Sequence, residues 1–192
     1  MDTNFYKDPD IKFDINKLQS ALKEVDSRVA RQSPLGERDI NAICLTQIPG
    51  DANSITGGNV RGLFWTKPDS TYEEVQREEP IDESKYSEFV KLFEDTYFKE
   101  VYDELTKKYT LGRIRLLWKL PRTTLSWHRD PEPRLHIPIV TNFGARMCID
   151  TEVRHMPADG SVWITDNTKY HNAFNGGEED RVHLVATVIN QL

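Results

Sequence analysis

The sequence predicts a mainly β protein with flanking α structure, a packed antiparallel sandwich or barrel braced by N-terminal helices. Three observations predict it. Beyond Gly112 the apolar residues fall into short runs with period two, separated by turn residues. Before Gly112, two apolar stripes recur at helical spacing. With 192 residues the chain can bury one substantial core, so a single domain spanning 1–192 is expected. Within it, 1–111 reads as a helix-rich support region and 112–192 as the β core.

In chain order, Ile15, Leu18, Leu22, Val25 and Val29 advance by three or four residues behind Asp14, a residue suited to capping a helix. Residues 40–48 (INAICLTQI) read as a buried strand, and 49–62 as a loop rich in Pro, Gly, Asn and Ser. Within that loop, Asn53 to Asn59 is a candidate lid. From Asp82 the positions Tyr86, Phe89, Phe93, Tyr97 and Val101 make a second apolar stripe that runs on to Leu105 and predicts another helix. Strands are expected near 113–120, 134–141, 145–150, 161–165 and 181–189. Pro157 to Gly160 and Asn175 to Gly177 supply turn sequences between them.

The balance of charge narrows the function classes. There are 31 acidic and 25 basic residues, a formal charge of -6, without the clustered positive surface of a nucleic-acid binder. Cys44 and Cys148 stand far apart and lack the spacing of a zinc site or disulfide framework. The N-terminus has no basic-then-apolar run, and no stretch approaches the ~20 apolar residues that cross a bilayer. A cytoplasmic, membrane-independent protein is the expectation; the oligomeric state is not legible.

All five histidines lie at or after position 128. His128 and Asp130 are two residues apart, so on extended backbone they share a face with Cα atoms roughly 7 Å apart. His171, after the strand at 161–165 and a short turn, is placed to add a third ligand from across the barrel. Two imidazoles and a carboxylate on one face of an octahedron suit non-haem Fe(II), because the opposite face stays open to a co-substrate and O2.

Two further groups share a strand spacing: Arg134-Leu135-His136 and Arg181-Val182-His183. Alternation puts each Arg and His on one face, with Leu135, Ile137, Ile139, Val182, Leu184 and Ala186 on the other. A buried guanidinium needs an anion, and its planar fork can hold a carboxylate in two parallel bonds. Arg181 is therefore the candidate holder of the distal carboxylate of a dicarboxylate co-substrate such as 2-oxoglutarate. Arg113, Arg115 and Lys119 share one strand face and read slightly better as a solvated face than as an anion site. Trp118 and Trp163 read as core, Trp127 as a candidate pocket wall beside His128, His155 as exposed, and His183 as a neighbour of the metal or co-substrate.

The segment from Ser126 to Val188, about a third of the chain, resembles the aspartyl/asparaginyl β-hydroxylase group of Fe(II)/2-oxoglutarate oxygenases. The resemblance is carried by His128-Arg129-Asp130, Arg134 to Ile139, Gly160 to Asp166 with His171, Asn175 and Arg181. It implies a double-stranded β-helix of jelly-roll or cupin-like type. His128 and His171 would be iron ligands, Arg181 would bind the remote carboxylate of 2-oxoglutarate, and Arg134 and His136 would line the same pocket. The peptide-modifying member that names the family lacks the carboxylate ligand. Asp130 restores the full triad, as in related enzymes that hydroxylate free amino acids such as proline.

The expected function is thus hydroxylation of an amino acid or amino-acid side chain, with Fe(II), 2-oxoglutarate and O2 as cofactor and co-substrates. Two other readings compete: a cupin-type metalloenzyme that does not use 2-oxoglutarate, and a non-catalytic β-barrel binding protein. The first would make Arg181 dispensable, and the second would leave His171 without effect on metal binding.

Overall fold

A computed structural model describes residues 3–33, 40–56, 62–77 and 81–191. Its strands, in chain order, are β1 (Phe5–Lys12), β2 (Ile40–Cys44), β3 (Thr46–Gln47), β4 (Phe64–Thr66), β5 (Val75–Arg77), β6 (Glu88–Phe89), β7 (Tyr109–Lys119), β8 (Thr123–Thr124), β9 (His128–Arg129), β10 (Arg134–Val140), β11 (Ala145–Ile149), β12 (Glu152–Arg154), β13 (Ser161–Thr165), β14 (His171–Asn175) and β15 (Arg181–Gln191). The helices are α1 (Ile15–Arg28) and α2 (Tyr97–Leu105).

Two antiparallel sheets form the body. The larger in residues has six longer strands in the order β1-β13-β10-β15-β7-β2, and the smaller has seven short ones, β12-β11-β14-β9-β4-β5 with β8 attached to β14. This is the double-stranded β-helix architecture, mainly β with flanking helices. The expected strands at 113–120, 134–141, 145–150, 161–165 and 181–189 are all present, the first extended backwards to Tyr109 and the last forwards to Gln191. Strands from before residue 112 enter both sheets: β1 and β2 form the edges of the larger, and β4 pairs β9 in the smaller. The short or irregular runs that make β1, β4, β5 and β14 gave no period-two signal in the sequence.

Alternation on β10 and β15 divides the larger sheet into two chemistries. Leu135, Ile137, Ile139, Val182, Leu184 and Ala186 point outward into the main core, where Leu18, Val25, Phe98, Val101 and Leu105 of the helices cover them. Each such aliphatic side chain contributes about 1.5–3 kcal/mol on full burial. Asp14 caps α1 as the sequence predicts, accepting from the backbone N–H of Asn16 at 2.8 Å and of Lys17 at 3.2 Å. Arg28, in the last turn, ties the helix to Asp95 at 2.6 Å.

The helix expected from Asp82 to Leu105 is realised only from Tyr97. Glu88–Phe89 pairs instead with Thr46–Gln47, and the Val90 N–H donates to Leu45 O at 2.9 Å, so tertiary pairing overrides the helical spacing. Two short 3-10 turns, Glu83–Lys85 and Lys91–Phe93, carry the rest of the stripe. The strand expected over 40–48 is broken at Leu45 into β2 and β3. In the candidate lid, Ala52–Ile55 is a 3-10 turn with Ser54 buried, while 57–59 lie outside the described residues. Gly160 adopts φ +82°, and a side chain there would strike the Phe13 carbonyl, whose own N–H donates to Gly160 O at 2.9 Å.

The inner face of the larger sheet is polar and yet buried. Arg113, Arg115, Lys119, Arg134, His136, Arg181, His183 and Thr187 all lie there, none more than 9% exposed. The solvated face expected for Arg113, Arg115 and Lys119 is thereby corrected: period two cannot distinguish a wet face from the lined interior of a barrel. An apolar cluster of Phe5, Met147, Ile149, Met156 and Trp163 closes one side of that interior. Cys44 and Cys148 are free thiols. No helix among the described residues is long and apolar enough to cross a membrane.

Candidate active site

His128, Asp130 and His171 converge, with one ligand atom from each within 4.8 Å of the others. His128 and His171 are directly opposite one another on the adjacent strands β9 and β14, their ring centroids 4.3 Å apart. The expectation of a ligand from across the barrel is corrected: both histidines belong to the smaller sheet. Each ring is fixed by its Nδ1, which lies 2.6 Å from Ser126 O in His128 and 2.9 Å from Lys169 O in His171. A backbone carbonyl requires a proton on Nδ1, so both Nε2 lone pairs face inward. Nε2 of His128 is 3.8 Å from Asp130 Oδ1, and Nε2 of His171 is 3.9 Å from Asp130 Oδ2.

Asp130 sits just beyond β9, its N–H donating to Asn167 O at 2.8 Å. Its Oδ2 accepts from Arg134 Nε at 3.1 Å and from Asn167 Nδ2 at 3.3 Å. Burial pushes this carboxyl up, but Arg134 and then the two histidines outweigh it and hold Asp130 below its usual range. Burial drives His171 down to about 4, which keeps its Nε2 unprotonated at neutral pH. Asn167 also reaches Nε2 of His171 with its Nδ2 at 2.9 Å and accepts from Thr165 Oγ1 at 2.6 Å. Neither Asn167 nor Thr165 stood out in the sequence, where Asp166-Asn167-Thr168 has only the character of a turn.

The two Arg-x-His strands lie side by side, with Pro138 opposite His183 and Arg134 opposite Thr187. Arg134 is fully engaged. Besides Asp130 it meets Glu132 at 3.3 Å, Glu83 at 3.5 Å and Thr187 Oγ1 at 2.8 Å. These contacts tie it to Asp130, and the resemblance implies a place for it beside the co-substrate. Arg181 is its opposite: 7% exposed, it donates from Nη2 to His183 Nδ1 at 2.7 Å, and no carboxylate among the described residues pairs with it. Glu178 and Glu179 do not neutralise it, and burial alone lowers it to about 9.

Beside Arg181 the His136 and His183 rings meet edge to face at 5.6 Å. Both nitrogens of His136, Nε2 of His183 and Nε1 of Trp163 are buried without a hydrogen-bond partner among the described residues. Burial, followed by Arg181, lowers both imidazoles well below their ordinary value. A buried guanidinium beside polar atoms without partners among the described residues is an arrangement that can accept a polar anion.

Other expected residues fall elsewhere. Asn175 accepts from the Gly177 N–H at 3.1 Å and donates to Lys119 O at 3.0 Å, so it ties a turn to β7. Trp127, 42% exposed, stacks outward on Tyr170 at 6.3 Å and does not wall the inner pocket. His155 is half-buried, its Nδ1 3.0 Å from Ala145 O, where exposure was expected.

A double-stranded β-helix with a His-Asp-His cluster at one end of a cationic interior defines the class of non-haem metal oxygenases. Residues 81–191, more than half of the chain, match the family model for Aspartyl/Asparaginyl beta-hydroxylase, and the chain belongs to that family. It is accordingly a 2-oxoglutarate-dependent oxygenase, with Fe(II), 2-oxoglutarate and O2 as its cofactor set and a small molecule or side chain as substrate. No curated protein matches the sequence significantly. Among solved structures, a 2OG-Fe(II) oxygenase family oxidoreductase from Burkholderia pseudomallei superposes with a TM-score of 0.52 at 14% identity, covering 96% of this chain and 84% of that one. IDO from Bacillus thuringiensis gives 0.49 at 8% identity, with 97% and 90% covered.

Proposed function

We propose that His128, Asp130 and His171 hold Fe(II), and that Arg181, with His136 and His183, receives the distal carboxylate of 2-oxoglutarate. The observation that carries this reading is the buried guanidinium of Arg181, which has no carboxylate partner among the described residues and stands beside imidazole nitrogens without partners there. The donor set fits the metal: two imidazoles and one carboxylate, with no thiol in the cluster among the described residues. Bound there, Fe(II) supplies activation of O2 coupled to decarboxylation of 2-oxoglutarate to succinate, and so hydroxylation of a C–H bond.

The protein's own contribution is positional. The carbonyls of Ser126 and Lys169 fix the imidazole tautomers, Arg134 and Asn167 hold Oδ2 of Asp130, and the apolar cluster around Met147 and Trp163 keeps water from the interior. The substrate is a free amino acid or an amino-acid side chain in a peptide or protein. Asp130, the ligand that the peptide-modifying member of the family lacks, weighs against carrying that member's peptide substrate over to this chain. Incubation with Fe(II), 2-oxoglutarate, O2 and an amino-acid panel should give succinate together with a product heavier by one oxygen. Absence of succinate formation across the whole panel, in protein shown to bind metal, would overturn the reading. Arg181→Ala should weaken 2-oxoglutarate about 100-fold, and unchanged affinity would remove Arg181 from the co-substrate site.

A further inference from the structure

Glu83 is a buried carboxylate that the function described so far does not use. It stands on the short turn Glu83–Lys85, 5% exposed, far in sequence from every ligand of the metal cluster. Its Oε1 accepts from Arg113 Nη2 at 2.7 Å and faces Arg134 Nη2 at 3.5 Å. Its Oε2 accepts from the Thr187 hydroxyl, which in turn accepts from Arg134 Nη1 at 2.8 Å. Glycines enclose it: a side chain at Gly62 would strike the carboxylate, and one at Gly112 would strike the Glu83 carbonyl.

A guanidinium is planar and rigid, so fixing its Nη edge also fixes the direction of Nε. In Arg134, Nε points at Asp130 Oδ2, 3.1 Å away. With Oδ2 occupied there and by Asn167, Oδ1 is the oxygen left for a ligand, 3.8 Å from His128 Nε2.

We propose that Glu83 is a positioning residue for the metal centre: by clamping the Nη edge of Arg134 it aims Nε at Asp130 Oδ2 and presents Oδ1 to the metal. The proposal rests on the reading of His128, Asp130 and His171 as metal ligands. It accounts for a carboxylate enclosed so tightly at that place. Neutralising Arg113 and Arg134 would require only a negative charge nearby, whereas steering Asp130 requires this one edge of Arg134 to be held.

The test is a double-mutant cycle on Co(II) affinity of the metal-free protein, read from its visible absorption bands, using wild type, Glu83→Gln, Asp130→Asn and the double variant. Metal-free melting is measured in parallel. Glu83→Gln should weaken Co(II) about tenfold when Asp130 is present, and should cost nothing further in the Asp130→Asn background. Wild-type affinity in Glu83→Gln, or the same fold loss in both backgrounds, overturns the proposal and leaves the metal site standing. Absence of Co(II) binding by folded wild-type protein overturns the metal site and the proposal with it. Should Glu83→Gln fail to fold, the cycle is run with Thr187→Val, which removes the hydroxyl between Glu83 and Arg134 without stripping a buried charge of its partner. A loss of a fewfold confined to the Asp130 background supports the relay, and no loss overturns it.

Discussion

Arg134 and Arg181 begin two neighbouring strands, each followed two residues later by a histidine on the same face, and both guanidinium groups are buried. Their surroundings diverge. Arg134 meets three carboxylates and a hydroxyl, while Arg181 meets a neutral imidazole and no anion among the described residues. Arg134 is thus part of the folded protein's own electrostatics, and Arg181, in the proposed function, is complete only with a ligand. Equal sequence patterns can encode a structural cation and a receptor.

Removing each charge should separate the two roles. The largest effect is expected for Arg134→Met, which leaves Asp130 buried without its guanidinium partner and Glu83 with Arg113 as its remaining close cation. Folding stability should fall by about 3–5 kcal/mol, measured by denaturant unfolding of the metal-free protein. Arg181→Met should behave in the opposite sense, its metal-free melting temperature holding or rising. The wild-type stabilisation by added 2-oxoglutarate should vanish in that variant, corresponding to about 100-fold weaker binding, or ~2.7 kcal/mol. If both variants destabilise equally, the contrast between the two arginines fails.

The smallest effect is a pH dependence around Arg181. His136 and His183 face Arg181 and each other, and Arg134 and Arg115 add to the positive surroundings of His136. Burial, with these cations, keeps both rings neutral in the fold, well below the ordinary value of 6.5. Below about pH 6.5 the unfolded chain therefore binds more protons than the folded one, and stability is lost as pH falls through that value. The slope should reach up to about 1.4 kcal/mol per pH unit for each ring, seen as falling melting temperatures from pH 7.5 to 5.5. His183→Gln should flatten it; an unchanged slope would place the titration elsewhere.

What the sequence could reveal follows from which forces act locally. The α1 stripe behind Asp14 and the alternation on β10 and β15 reflect local geometry against a nearby core, and both are legible. His128 and Asp130 are legible because two residues of extended chain suffice to bring them together. The helix expected from Asp82 is shortened because Phe89 found a strand partner at Thr46, which no local pattern records. Glu83 and Asn167 are hidden for the same reason: their neighbours are polar, and only the approach of Arg134 and His171 gives them a role. Arg113, Arg115 and Lys119 mislead because an enclosed polar face has the same period as an open one.

The pairing of His128 with His171 also makes the proposed metal ligands part of the stitching of the smaller sheet. β9 is two residues long, that pair is its register contact with β14, and β4 followed by β5 hangs from its other side. Whatever grips both imidazoles fastens the seam by which the hairpin strands at 64–66 and 75–77 join the rest of that sheet. A chelator would then act as a local denaturant, and amide hydrogens of Phe64–Thr66 should exchange faster when the metal is withdrawn, while those of β10 and β15 keep their protection.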